Sequence, residues 1–115
     1  MPLEVYSRKG RRFSDPRVTI TKSGQIGLNS SCLDKYFNSK ENVLLYVDKN
    51  KKKIGIKPIN RPEENSFRIS FSVKRTTGSI SGHSFLKYCR IDFPQTKRFI
   101  PEWDSRENIL TIDYR

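Results

Sequence analysis

The chain has 115 residues, with 23 Lys or Arg against 12 Asp or Glu, giving a formal net charge of +11 and a pI near 10.0. That length fits one small domain with a modest core, and no stretch approaches the roughly 18 unbroken apolar residues of a membrane span. The charged N-terminus lacks the apolar run of a signal peptide, so a cytoplasmic protein with no membrane insertion is expected.

Residues 1–17 carry Arg8, Lys9, Arg11, Arg12 and Arg17 and read as a flexible basic arm. Phe13 has no core pattern around it there and is expected either to anchor the arm on a partner or to fold back onto the domain. Val18-Thr-Ile-Thr-Lys22 alternates apolar and polar residues, and Ser23-Gly24 supplies a turn into Gln25-Ile-Gly-Leu28, which predicts a hairpin. Asn29-Ser30-Ser31 offers a helix cap ahead of Leu33, Tyr36 and Phe37 at helical spacing, predicting a short helix over 30–38.

Val43-Leu-Leu-Tyr-Val47 is a continuous apolar run and predicts a central strand covered on both faces. A polar turn over Asp48 to Lys53 leads to a second strand, Ile54-Gly-Ile-Lys-Pro58, stopped by its proline. Asn60 to Asn65 has the composition of a linker. Beyond it, Phe67, Ile69, Phe71 and Val73 alternate with Arg68, Ser70, Ser72 and Lys74, the cleanest strand pattern in the chain.

The second half then repeats the order of the first. Gly78-Ser-Ile80 parallels Gly24-Gln-Ile26, His83 to Cys89 takes the helix slot, and Arg98 to Trp103 takes the slot of the apolar strand. Asp104 to Asn108 matches the turn at Asp48 at an offset of 56 residues, and Ile109 to Tyr114 matches the strand after it. One such unit alone leaves an apolar face uncovered. The expected fold is therefore α+β and β-rich: a single domain over 18–115 made of two ββαββ units, 18–60 and 66–115, packed about a pseudo-twofold axis. The alternative is one mixed sheet with two helices on one face.

The segment Val18-Thr-Ile-Thr-Lys-Ser-Gly-Gln-Ile-Gly-Leu28, the helix after it and Glu41-Asn-Val-Leu-Leu-Tyr-Val47 resemble the AbrB/MazE group of swapped-hairpin DNA-binding domains. The resemblance covers residues 18–58 and reaches the second unit, 78–114, only through the repeat. It implies a swapped-hairpin-like barrel built from one chain, with Lys22, Gln25 and Lys35 on or near the side that faces DNA. The chain departs from that group's pattern at Asn29, Asn42 and Lys35, where the group commonly has proline, a Gly-Asp turn and arginine.

Cations bind nucleic acid by neutralising phosphates and releasing counterions, which requires them to cluster on one surface. Four clusters qualify: the arm; the turn from Lys49 through Lys51, Lys52 and Lys53; Arg68, Lys74 and Arg75; and Lys87, Arg90, Lys97 and Arg98. Residues 1–60 carry +8 and residues 61–115 carry +3. Tyr36, Tyr46, Tyr88 and Trp103 are among the aromatics available either to stack on bases or to pack the core. Cys32, Cys89 and His83 are too few for a zinc knuckle, and the thiols read as buried and free or, if brought together, as a redox pair. With no phosphate-binding Gly-rich loop, nucleophile elbow or catalytic triad partner for His83, no catalytic residue, metal or cofactor is expected.

The expected function is that of a small nucleic-acid-binding protein, a DNA-binding transcription regulator or a DNA-coating protein, acting as monomer or homodimer. The competing expectation is a regulatory or accessory subunit docking on an acidic surface of a larger protein complex, stress- or redox-responsive if the thiols act. A third, an antitoxin, follows from the resemblance alone.

Overall fold

Alternating burial and turn chemistry begin the fold. The computed structural model describes residues 15–38, 40–74 and 76–115. Strand β1 (Val18–Ile20) buries Val18 and Ile20, and β2 (Gln25–Leu28) buries Ile26 and Leu28, with Val18 opposite Leu28 and Ile20 opposite Ile26. Thr21 and Gln25 close a three-residue loop in which Gly24 takes φ of 95°, a conformation that needs glycine.

Asn29 then caps α1 (Ser30–Cys32). Its Oδ1 accepts from the backbone N–H of Cys32 and of Arg17, each at 3.0 Å, while its Nδ2 donates to the Asp15 carbonyl at 2.9 Å. One amide thus ties the start of the helix to the chain leading into β1. The helix widens into a π-helical turn, Leu33–Phe37, closed by Asn38 in the left-handed conformation.

The remaining elements are β3 (Asn42–Asp48), β4 (Lys53–Ile59), β5 (Phe67–Arg68), β6 (Ser70–Phe71), β7 (Gly78–Ser81), α2 (His83–Tyr88), β8 (Lys97–Phe99), β9 (Glu102–Asp104) and β10 (Ile109–Asp113). They form two five-stranded antiparallel sheets, ordered β6-β7-β2-β1-β8 and β5-β3-β4-β10-β9. Both sheets feed one core: Val18, Ile20, Ile26, Leu28 and Ile80 from the first, Val43, Ile54, Ile56, Leu110 and Ile112 from the second, with Cys32, Phe37 and Leu86 from the helical segments. Among the described residues no helix is long and apolar enough to cross a membrane.

This architecture corrects the expectation of a swapped-hairpin-like barrel, and with it the AbrB/MazE resemblance and the AbrB-like mode of DNA binding drawn from it. Both sheets are open ladders. The reason lies at their edges, since β5 and β6 span two residues each and β8 and β9 three, too few pairings to close a barrel. Two crossings between the sheets keep those strands short. At Ile69 the chain leaves β3, where Phe67 opposes Val43, and joins β7, where Ser70 opposes Ser79. At Ile100-Pro101 it passes from β8 to β9, and Pro101 has no N–H to extend a ladder. The single mixed sheet is not found either, because every pairing is antiparallel and the strands divide between two sheets.

Ile69 is 2% exposed, and a Cβ on Gly78 would lie 2.7 Å from its Cγ2, so the glycine makes room for the side chain at the crossing. Burying such an isoleucine is worth about 2 kcal/mol. Three local expectations also change. Val73 leaves the strand pattern and is fully exposed in the turn before β7. β3 is not covered on both faces, for Tyr46 is 44% exposed on the side opposite the core row of Val43. β4 runs through Pro58 to Ile59, which is tolerated because β10 pairs with β4 only as far as Ile56 and needs no donor from residue 58.

The two turns at the 56-residue offset are built alike. Asp48 Oδ1 accepts from Lys51 N–H at 3.0 Å and Lys52 has φ of 59°, while Asp104 Oδ1 accepts from Glu107 N–H at 3.2 Å and Asn108 has φ of 56°.

Candidate functional site

The turn geometry and α2 together place the cations. α2 packs on the β1–β2 turn, where Gly82 N–H donates to the Gly24 carbonyl at 3.0 Å and a Cβ on Gly24 would stand only 2.7 Å from His83 Cα. Leu86 and Cys89 face the core, leaving His83, Lys87 and Tyr88 outside, with Tyr88 almost wholly exposed. The helix ends by a Schellman pattern: Ile91 N–H donates to Leu86 O at 2.9 Å and Arg90 N–H to Lys87 O at 3.1 Å. Position 90, with φ of 59°, is where glycine or asparagine ordinarily stands, and here it is arginine.

Two adjoining hollows result. One, of about 310 Å³, has Leu86 and Phe93 among its apolar lining and Lys22, His83, Lys87 and Arg90 among its polar lining. The other, of about 250 Å³, shares Arg90 and Phe93 and adds Lys49 and Lys52 from the β3–β4 turn. Asp92 is the one acid among the described residues that line either. Tyr114 N–H donates to the Lys52 carbonyl at 2.9 Å, pinning that turn to the end of β10. Of the four described non-glycine residues with positive φ, two are asparagines and the other two are Lys52 and Arg90, both lining the second hollow. A long side chain held in that conformation costs stability, a pattern associated with functional positions.

Cys32 and Cys89 are both buried and free, as the sequence reading of isolated thiols expects. Burial pushes the Cys32 thiol up to about 12, and it raises Cys89 as well, against the opposing charge of Lys49.

The residues named from sequence distribute unevenly. Lys22 and Lys52 line the two hollows. Lys35 lies with its Nζ 5.8 Å from the Tyr36 ring centroid, and Lys51 and Lys53 line a separate hollow on the other side of the β3–β4 turn, Lys53 at 4.0 Å from Glu102. Arg68 pairs with Glu41 at 3.2 Å, and Lys74 is exposed in the turn before β7. Gln25 is exposed on β2, and Arg17 is half-buried with its guanidinium donating to the Pro16 carbonyl at 3.1 Å. Arg8, Lys9, Arg11, Arg12, Phe13 and Arg75 lie outside the described residues. Lys49, Lys87 and Arg90 belong to two of the basic clusters named from sequence, but nothing local joins those clusters to Lys22, and their convergence depends on α2 docking at Gly24.

Comparison with protein-family models finds no match, and neither the curated proteins nor the solved structures give one.

Proposed function

We propose that the protein binds nucleic acid in the cytoplasm, as monomer or homodimer, by gripping phosphates with the face built from the β1–β2 turn, the β3–β4 turn and α2. The observation that carries this reading is the convergence of Lys22, Lys49, Lys52, Lys87 and Arg90 on two adjoining hollows with Asp92 as the one acid among their described lining residues, two of those cations being held at positive φ. Phosphate contacts position a polynucleotide without reading its sequence, so the face serves general binding rather than operator recognition. The two buried free thiols fit a reducing compartment.

The test is fluorescence anisotropy with labelled duplex DNA, single-stranded DNA and RNA over a salt series. Each neutralised phosphate steepens the dependence of log K on log salt by about 0.9 on duplex and about 0.7 on single strands. The triple variant Lys22→Gln, Lys87→Gln, Arg90→Gln is expected to bind more weakly on every sequence and to flatten the duplex slope by about 2.7. An unchanged slope removes this face from the reading. Capture of a stoichiometric acidic protein from nuclease-treated lysate, with no binding to any polynucleotide, favours the docking-subunit alternative.

A further inference from the structure

A second groove lies where the π-helical turn meets the end of β4 and the edge strand β9. It encloses about 750 Å³ and is lined by Lys35, Lys40, Lys57 and Arg61, with Glu63 as the one acid among its described lining residues. Its aromatic wall is the pair Tyr36 and Trp103, stacked with centroids 5.0 Å apart and planes 15° from parallel. Trp103 opposes Leu110 in the ladder, so its row faces the core, and both rings are half-buried against that core. The rest of each ring borders the groove. On the outer face of the second sheet, Trp103 also borders a separate hollow of about 580 Å³ that holds Tyr46, 44% exposed, with Lys51 and Lys53 and the acids Asp48, Glu102 and Asp104. Asn38 and Asn108, the two asparagines at positive φ, also line the groove.

Cations spaced along an open groove beside half-exposed rings match a particular ligand chemistry. A strand with unpaired bases offers π-faces to stack on the rings and phosphates spaced to meet the lysines, whereas a duplex keeps its base faces stacked on one another. Side-chain amides at the groove wall can donate to and accept from base edges. We infer that this groove takes the unpaired bases of a single-stranded polynucleotide, with the Tyr36–Trp103 stack as the platform and Lys35, Lys40, Lys57 and Arg61 on the phosphates. The inference rests on the nucleic-acid reading above and adds its strand preference and its stacking site.

Trp103 is the sole tryptophan, so its emission reports on the groove directly. The full chain is titrated with labelled oligodeoxythymidylate and oligouridylate of about twelve nucleotides, with a duplex of equal length, and with inorganic polyphosphate, following label anisotropy and Trp103 emission together. Single strands are expected to quench Trp103 in step with the anisotropy rise, while polyphosphate, which has charge and no bases, leaves the emission unchanged. The two single-stranded arms separate DNA from RNA through the 2′-hydroxyl. Trp103→Leu is expected to weaken single-strand binding about 5- to 150-fold, and Trp103→Phe, which keeps a ring, to restore most of it. Single-strand binding with unquenched Trp103, equal quenching by polyphosphate, or binding to duplex alone overturns the inference and leaves the phosphate-gripping face standing. No anisotropy change with any polynucleotide overturns both. Should Trp103→Leu fail to fold, the quenching and polyphosphate arms on the unaltered chain decide the matter.

Discussion

Arg90→Gly separates a cation kept for binding from one kept for the fold. Arg90 holds the position after α2 with φ of 59°, and its side chain is exposed, so little packing is lost with it. A non-glycine residue in the left-handed region costs about 1 to 2 kcal/mol, and the extra chain entropy of glycine gives back about 0.5 to 1 kcal/mol. The substitution is therefore expected to stabilise the protein by about 0.5 to 1 kcal/mol, which for a domain of this size raises Tm by about 2 to 6 °C. Removing one phosphate contact should at the same time reduce the duplex salt slope by about 0.9. Thermal unfolding followed by circular dichroism and salt-dependent anisotropy on the same preparation measure both. Arg90→Asn, whose residue also tolerates this conformation, should lose binding equally with Tm held or raised. A lower Tm with binding intact would refute the reasoning, because the arginine would then be stabilising the helix end.

Gly24→Ala should be far more costly. Its φ of 95° strains any side chain and the new Cβ would stand 2.7 Å from backbone at His83, so a loss of about 2 to 5 kcal/mol is expected in urea unfolding with an unchanged m-value; a loss under about 1 kcal/mol would refute the account of how α2 docks. Cys32 supplies a pH dependence. Its thiol rises from 9.0 to about 12 in the folded chain, so the folded state keeps a proton that the unfolded state releases. That contribution is whole below pH 9 and lost as pH climbs towards 12, by about 1.4 kcal/mol at pH 10 and at most about 4 kcal/mol. The stability difference between the unaltered chain and Cys32→Ala should shrink accordingly from pH 8 to pH 10; a constant difference contradicts the assignment.

What the sequence reveals of this fold is what its neighbours along the chain determine. The Thr21–Gln25 hairpin closes on Gly24, Asn29 caps the helix, and Asp48 and Asp104 each bond the backbone three residues on, all through contacts of short range. The apolar spacing of His83 to Cys89 likewise places Leu86 and Cys89 inward. The choice of partners is not visible in this way. β2 pairs with β7 and β4 with β10 across fifty residues or more, and nothing local distinguishes those pairings from a closed barrel of the same strands. The alternation through Phe67, Ile69, Phe71 and Val73 gives no sign that residues 67–68 and 70–71 belong to different sheets, because burial of Ile69 between the sheets satisfies the same period of two. For the site, Lys22 and Lys52 stand out from turn composition, whereas Lys57 is one polar residue in a strand until Trp103 and Arg61 are brought to it.

The charge surplus becomes a surface because carboxylates are engaged elsewhere. Glu41 holds Arg68, Glu102 lies against Lys53, and Asp113 is gripped by Arg115, whose hydrogen bonds hold that carboxyl below the usual carboxylate range. Asp48 and Asp104 turn their oxygens to backbone N–H groups in the two tight turns. These uses place negative charge within turns and along the second sheet, whereas the hollows around Arg90 hold five Lys or Arg against Asp92. An unbalanced cluster of this kind repels itself, weakly in water and more strongly at low salt. A fold under selection for stability alone would relieve it by placing one more acid on α2, for example at the exposed Ser84, within i, i+3 reach of Lys87. The absence of that acid, together with the positive φ at Lys52 and Arg90, puts two separate energetic costs on one face, and binding to a polyanion offsets the first by supplying the missing negative charge.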